Sequence, residues 1–160
     1  MLKKLLTVAV LAFSVSSHAA IINLTATMDG AQANAGAGTG SLGTGTASMT
    51  LDDQTGLFSW TVQWTGLVGN VTVAHFHGPA LPGVNAGVQV PIDVGANPSM
   101  GNQVIDAAQQ ADLLAGLWYV NIHSDVNPGG EIRGQVNAVP LPAAAWLFGS
   151  ALLALAGVKR

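Results

Sequence analysis

The chain contains no cysteine. Disulfides, thiolate metal sites and a cysteine nucleophile are therefore excluded, and folding rests on a noncovalent core. Charge is also scarce. Only 8% of the residues are charged, against about 25% in an ordinary soluble domain. The basic residues are Lys3, Lys4, Arg133, Lys159 and Arg160. All but Arg133 sit at the ends, which leaves one central cation against eight carboxylates. A nucleic-acid partner needs a basic face to neutralise phosphates, so that class is excluded. What fills the gap is Gly, Ala, Thr, Ser and Asn, a composition that suits an extracellular β protein.

The two ends read as addressing segments. Residues 1–19 begin with Lys3 and Lys4, continue with an apolar run from Leu5 to Val15, and close on small residues with Ser17 and Ala19 placed for signal-peptidase cleavage at Ala19. The apolar run is too short to span a bilayer as a mature helix. The other end, 138–160, carries Val139-Pro140-Leu141-Pro142-Ala143, an apolar run to Val158, and Lys159-Arg160. As a helix that run covers about 24 Å, slightly short of a ~30 Å hydrocarbon core. Its basic end fits a cytoplasmic stop. The expectation is a short transmembrane helix.

Between them, 20–137 reads as one all-β domain. "LFSWTVQW" alternates cleanly, with Phe58, Trp60, Val62 and Trp64 on one face and Ser59, Thr61 and Gln63 on the other, as a half-buried antiparallel strand does. Further strands are expected at Ile21–Met28, Thr46–Leu51, Val71–His77 and Val88–Asp93. A hairpin of Leu117–His123 with Gly130–Val136 should form around "SDVNPGG". One helix is expected in "DAAQQADLLAG", with Asp106 and Gln109 as a capping box and Gly116 as its stop. About seven strands without a βαβ rhythm predict an antiparallel, Greek-key-like β-sandwich with one short helix.

Gly38, Gly40 and Gly43 match the dinucleotide fingerprint, but β-prone sequence follows them where a helix should begin, so they are read as turn glycines. Asp125-Val-Asn127 lacks the ligands of a calcium loop and reads as a turn. No Gly-x-Ser-x-Gly elbow or carboxylate pair supports a hydrolase.

The chemistry concentrates on histidine. His75 and His77 are two apart on a strand and share a face. In the hairpin, Trp118, Val120 and Ile122 form the core face, and Tyr119, Asn121 and His123 the other. Pairing the strands puts Glu131 near His123 and Arg133 near Asn121. Two readings follow. His75, His77 and His123 could bind copper or zinc through neutral imidazoles, with Glu131 orienting a histidine from behind. Alternatively each imidazole hydrogen-bonds locally, and Arg133 and Glu131 form an ion pair.

Two resemblances add to this. The segment from Val139 resembles the VPLPA-CTERM variant of the PEP-CTERM sorting tail. It implies a Gram-negative bacterium, a signal peptidase and an exosortase-type enzyme as processing partners, and delivery to the envelope or a matrix of extracellular polysaccharide. "HFHGPALPG" and "LLAGLWYVNIHSDVNPGGEIRGQV" resemble the CHRD domain first defined in chordin, over about Ile21 to Val136. That implies an extracellular β-sandwich acting as a binding or structural module. The H-x-H pair is also similar to that of copper/zinc superoxide dismutase, but that enzyme's disulfide and a fourth mature histidine have no counterpart.

Deleting residues 140–160 should release a soluble, folded protein into periplasm or medium. Fractionation with circular dichroism checks this, and an unfolded product would make the tail part of the core.

Overall fold

The computed structural model describes residues 20–140. The segment 1–19 with its cleavage point at Ala19, and Leu141, Pro142 and Ala143 with the apolar run after them, lie outside the described residues. Among the described residues, no helix is long and apolar enough to cross a membrane.

The strands are β1 (Ile21–Asp29), β2 (Thr44–Asp52), β3 (Leu57–Thr65), β4 (Val71–His77), β5 (Val88–Ile92), β6 (Ser99–Val104), β7 (Tyr119–Ser124), β8 (Ile132–Gln135) and β9 (Asn137–Ala138). They form one antiparallel sheet in the order β5-β4-β7-β8-β1-β2-β3-β6, with β9 added to β1. The sheet bends until its two halves face each other. Phe58 on β3 meets Phe76 on β4 with ring centroids 5.0 Å apart, and Trp118 at 5.8 Å. Trp60 meets Phe76 at 5.5 Å. Edge-to-face pairs of this kind add to the hydrophobic term. The expected sandwich is therefore present as a nearly closed sheet, with its end strands β5 and β6 touching.

Alternation explains the core. Leu24, Ala26 and Met28 of β1, Ala47, Met49 and Leu51 of β2, and Phe58, Trp60 and Val62 of β3 are all buried. Trp64 is partly buried against them. Most outward positions of these strands are Thr, Ser, Asn or Gln, with Asp29 and Asp52 at strand ends and Ile21 and Leu57 as exposed apolar exceptions.

The helix α1 (Ala107–Leu114) is capped as its sequence demands. Asp106 accepts from the Gln109 backbone N–H, and Gln109 accepts from the Asp106 N–H. Gly116 then takes a φ of 73°. Gly38 and Gly40 also adopt positive φ, and the chain passes from them into β2 without a helix. Asp125 accepts from the backbone and side-chain nitrogens of Asn70, so that acidic stretch is a turn anchor.

Strand β6 escapes the sequence pattern. "SMGNQV" carries no apolar alternation, and only Ser99 is buried along it. Its pairing with β3 defines it. Gly101 lies opposite Trp60, where a Cβ would stand 2.5 Å from the indole. The missing side chain lets that ring lie across the edge strand.

Replacing Trp60 or Trp118 with Ala should cost roughly 3–5 kcal/mol in urea unfolding, out of a total near 5–10 kcal/mol. Losses below about 1 kcal/mol at both sites would contradict this packing.

Candidate metal centre

Strand pairing brings the histidines together. His75 lies opposite Asn121, His77 opposite Tyr119, and His123 opposite Val73. Side chains at these positions share the face turned away from the aromatic core. One ligand atom from each of His75, His77 and His123 can be chosen so that all lie within 4.8 Å of one another. The ring centroids are 5.3 Å apart for His75–His77 and His75–His123, and 5.8 Å for His77–His123.

The hydrogen bonds fix two tautomers. His77 Nδ1 lies 3.0 Å from the Ala86 carbonyl, and His123 Nδ1 2.8 Å from the Pro128 carbonyl. A carbonyl only accepts, so each Nδ1 carries the proton and each Nε2 keeps a lone pair. Asn121 Nδ2 approaches the His123 lone pair at 3.3 Å and donates to Gly129 O at 3.2 Å. His77 Nε2 and His75 Nδ1 are buried without a hydrogen-bond partner. Burial pushes His75 below the ordinary histidine range, and repulsion from His123 adds to it. Burial does the same to His77. The bond to Ala86 opposes that fall, while His75, His123 and Arg133 reinforce it. The lowered values favour neutral imidazoles at pH 7, and neutral imidazole is the ligand form.

Hairpin alternation leads one to expect an open outer face on β7 and β8. Instead it is covered. Tyr119, Asn121 and Arg133 are buried, Tyr119 and Arg133 beneath the 78–87 segment and Asn121 against Gly129 and Gly130. Ala86 holds this cover at two points: its carbonyl takes His77 Nδ1–H, and its N–H donates to the Tyr119 hydroxyl at 3.0 Å. Tyr119 stacks on His77 at 5.0 Å with the rings 5° from parallel. The Arg133 guanidinium lies 3.4 Å from the Tyr119 ring centre and donates to Val84 O and Asn85 Oδ1. Ala86 and Pro128 act through backbone atoms, so no side-chain pattern announced them. The Pro/Gly-rich stretch that starts directly after His77 was the available signal.

Arg133 falls opposite Asn121 in the hairpin, as expected. Glu131 does not serve the histidines, and this corrects the sequence reading twice over. It lies one residue before β8, outside the paired ladder, after Gly130 with a φ of 117°. A Cβ at Gly130 would collide with the Asn121 amide. Strand alternation therefore does not govern Glu131. Its carboxylate points to the far side and accepts from Ser41 Oγ at 2.7 Å, Ser124 Oγ at 2.5 Å, Val68 N at 2.5 Å and Gly69 N at 3.2 Å. It makes no ion pair with Arg133. Burial alone would push the carboxyl up, but these four bonds outweigh it and hold it down to about 2.

The CHRD domain family matches residues 24–136, and the chain belongs to that family. Its members are typically extracellular or secreted. No curated protein matches the chain, and no solved structure does.

Acid unfolding tests the two sets of titrating groups in metal-free protein. His75 and His77 have lowered values in the folded state, so stability present above about pH 6.5 declines as pH falls below it. Glu131 is lowered too, and its share is present above about pH 4.5 and is lost as pH falls toward 2. Glu131→Gln should cost roughly 3 kcal/mol at pH 7, since each bond to a charged group contributes about 1.5–3 kcal/mol. It should also shrink the lower acid limb, to which Asp52 and Asp125, also lowered by hydrogen bonds, contribute as well, while sparing the upper one. An unchanged lower limb would mean that Glu131 is not among the groups responsible.

Proposed function

We propose that this protein is an exported module of the cell envelope or extracellular matrix, and that its CHRD domain binds copper or zinc through His75, His77 and His123. The observation that carries the metal reading is the pair of carbonyl anchors. Metal-ligating histidines commonly donate their second ring nitrogen to a backbone carbonyl or carboxylate. His77 and His123 both donate Nδ1–H in this way, which leaves each Nε2 with its lone pair, and one ring nitrogen from each of the three histidines lies within 4.8 Å of the others. A purely structural cluster should satisfy its buried ring nitrogens, yet His77 Nε2 and His75 Nδ1 have no partner.

All three ligands are neutral nitrogens, a set suited to borderline metals such as copper and zinc and poor for magnesium or calcium. Tyr119 and Arg133 would position His77 by stacking, and Asn121 sits beside His123. A dismutase-like redox role is the second reading, favoured by the H-x-H strand geometry. Sorting follows from the VPLPA-type tail, with a signal peptidase and an exosortase-type enzyme as partners.

The test is thermal unfolding with metal titration. Copper or zinc at a hundredfold excess over Kd should stabilise the fold by about 2.7 kcal/mol, a rise of roughly 10 °C in Tm. Ala at any one of the three histidines should abolish the gain, and acidification toward about pH 5 should erode it as protons compete. Equal gains in the single variants would defeat the proposal.

A further inference from the structure

We infer that a second site, distinct from the three-histidine cluster, lies beside Arg133 and takes a small hydroxy-carboxylate of up to sugar-acid size. Arg133 is the only Lys or Arg between residues 20 and 140. It is 2% exposed, and no carboxylate pairs with it among the described residues. Asp29 stands opposite it in the β1–β8 pairing. Both Asp29 oxygens are taken by Gln32, from its backbone N–H at 2.9 Å and its amide at 3.0 Å. A buried cation without an anion is costly. Its contacts with Val84 O, Asn85 Oδ1 and the Tyr119 ring use two of five N–H donors and supply no full negative charge.

A cavity of about 240 Å³ adjoins it, lined by Arg133, Gln135, Ala31, Gln32, Gly36 and Gly83 among others. Gln135 adds the complementary group. Its amide nitrogen donates to Ala80 O at 2.9 Å and Gly116 O at 2.8 Å, which fixes the amide orientation. Its Oε1 is then buried with no partner. Two residues that line the cavity therefore carry unmet groups: Arg133 has spare N–H donors and, two residues along the same strand, Gln135 has an acceptor that lacks a donor. A carboxylate satisfies the first and a hydroxyl the second.

The volume is below the ~300–1,000 Å³ of drug-sized pockets, which sets the ligand at about one ring. Charge favours a free acid over a polyanion. Eight carboxylates against one Arg give residues 20–140 a net charge of −7, which repels long anionic chains.

The experiment records amide and guanidinium NMR spectra of the protein as exported, titrated with D-glucuronate, D-glucose, acetate and polygalacturonate. Glucuronate should shift the Gln135 side-chain amide and the Arg133 Nε signals saturably. Glucose and acetate, each lacking one of the two groups, should bind at least tenfold more weakly. Arg133→Gln should weaken binding tenfold or more. Ala31→Trp, a change at an exposed lining residue, should do the same by filling the cavity, and it keeps the test valid if the Arg133 variant misfolds. Binding of glucuronate alone assigns a free acid. Equal binding of polygalacturonate per ring assigns the same chemistry to a matrix chain. No saturable shift, equal affinity for glucose, or full binding by Ala31→Trp overturns the inference. None of these outcomes depends on metal at the histidines.

Discussion

A buried carboxylate that meets four donors and no cation organises one end of this domain. Glu131 gathers Ser41, the Val68–Gly69 backbone and Ser124, so three connections that are distant in sequence converge on one residue. The Ser124 hydroxyl passes the constraint on by accepting from Asn127 N–H at 3.0 Å. The turn held in this way is the one that offers the Pro128 carbonyl to His123. The tautomer of a candidate ligand on one face of the sheet therefore depends on an acid facing the other. With no disulfide available, this network does the work of a cross-link between loops, and it does so through charge-assisted bonds that are stronger than neutral ones.

The second constraint is the 78–87 cover. Without it, Tyr119 and Arg133 would stand on an open sheet face, and His77 could rotate. Through Ala86 the cover binds His77 and Tyr119 at once, and through Val84 and Asn85 it binds Arg133. The row His77–Tyr119–Arg133 is then an imidazole, a phenol ring and a guanidinium in a stack. Such pre-organisation removes rotamer freedom before any ligand arrives, which lowers the entropic cost of binding.

Much of this was legible in the sequence because strand alternation is a strict code. It places Phe58, Trp60, Trp118 and Ile122 inward and puts His75, His77 and His123 on a common outer face. The hairpin register that sets Arg133 against Asn121 followed from the same code. Three features did not follow, each for its own reason. Strand β6 has no periodicity because it is an edge defined by its neighbour. Glu131 sits just outside the ladder, where alternation no longer applies. The burial of the outer face depends on a loop, and loop placement is decided by backbone carbonyls that leave no mark in residue type.

The pairing of β9 with β1 has a consequence for how the domain is presented. Asn137 lies beside Thr25, and Val139 N–H donates to Asn23 O, so the chain leaves at Pro140 close to where it enters at Ala20. The row containing His75, Asn121 and Arg133 meets β1 at Asp29, about 20 Å further along the strand at ~3.3 Å per residue. The domain thus has a stem pole and a free pole. Both ends of the described residues therefore lie at the pole away from the histidine row, so neither end runs across it.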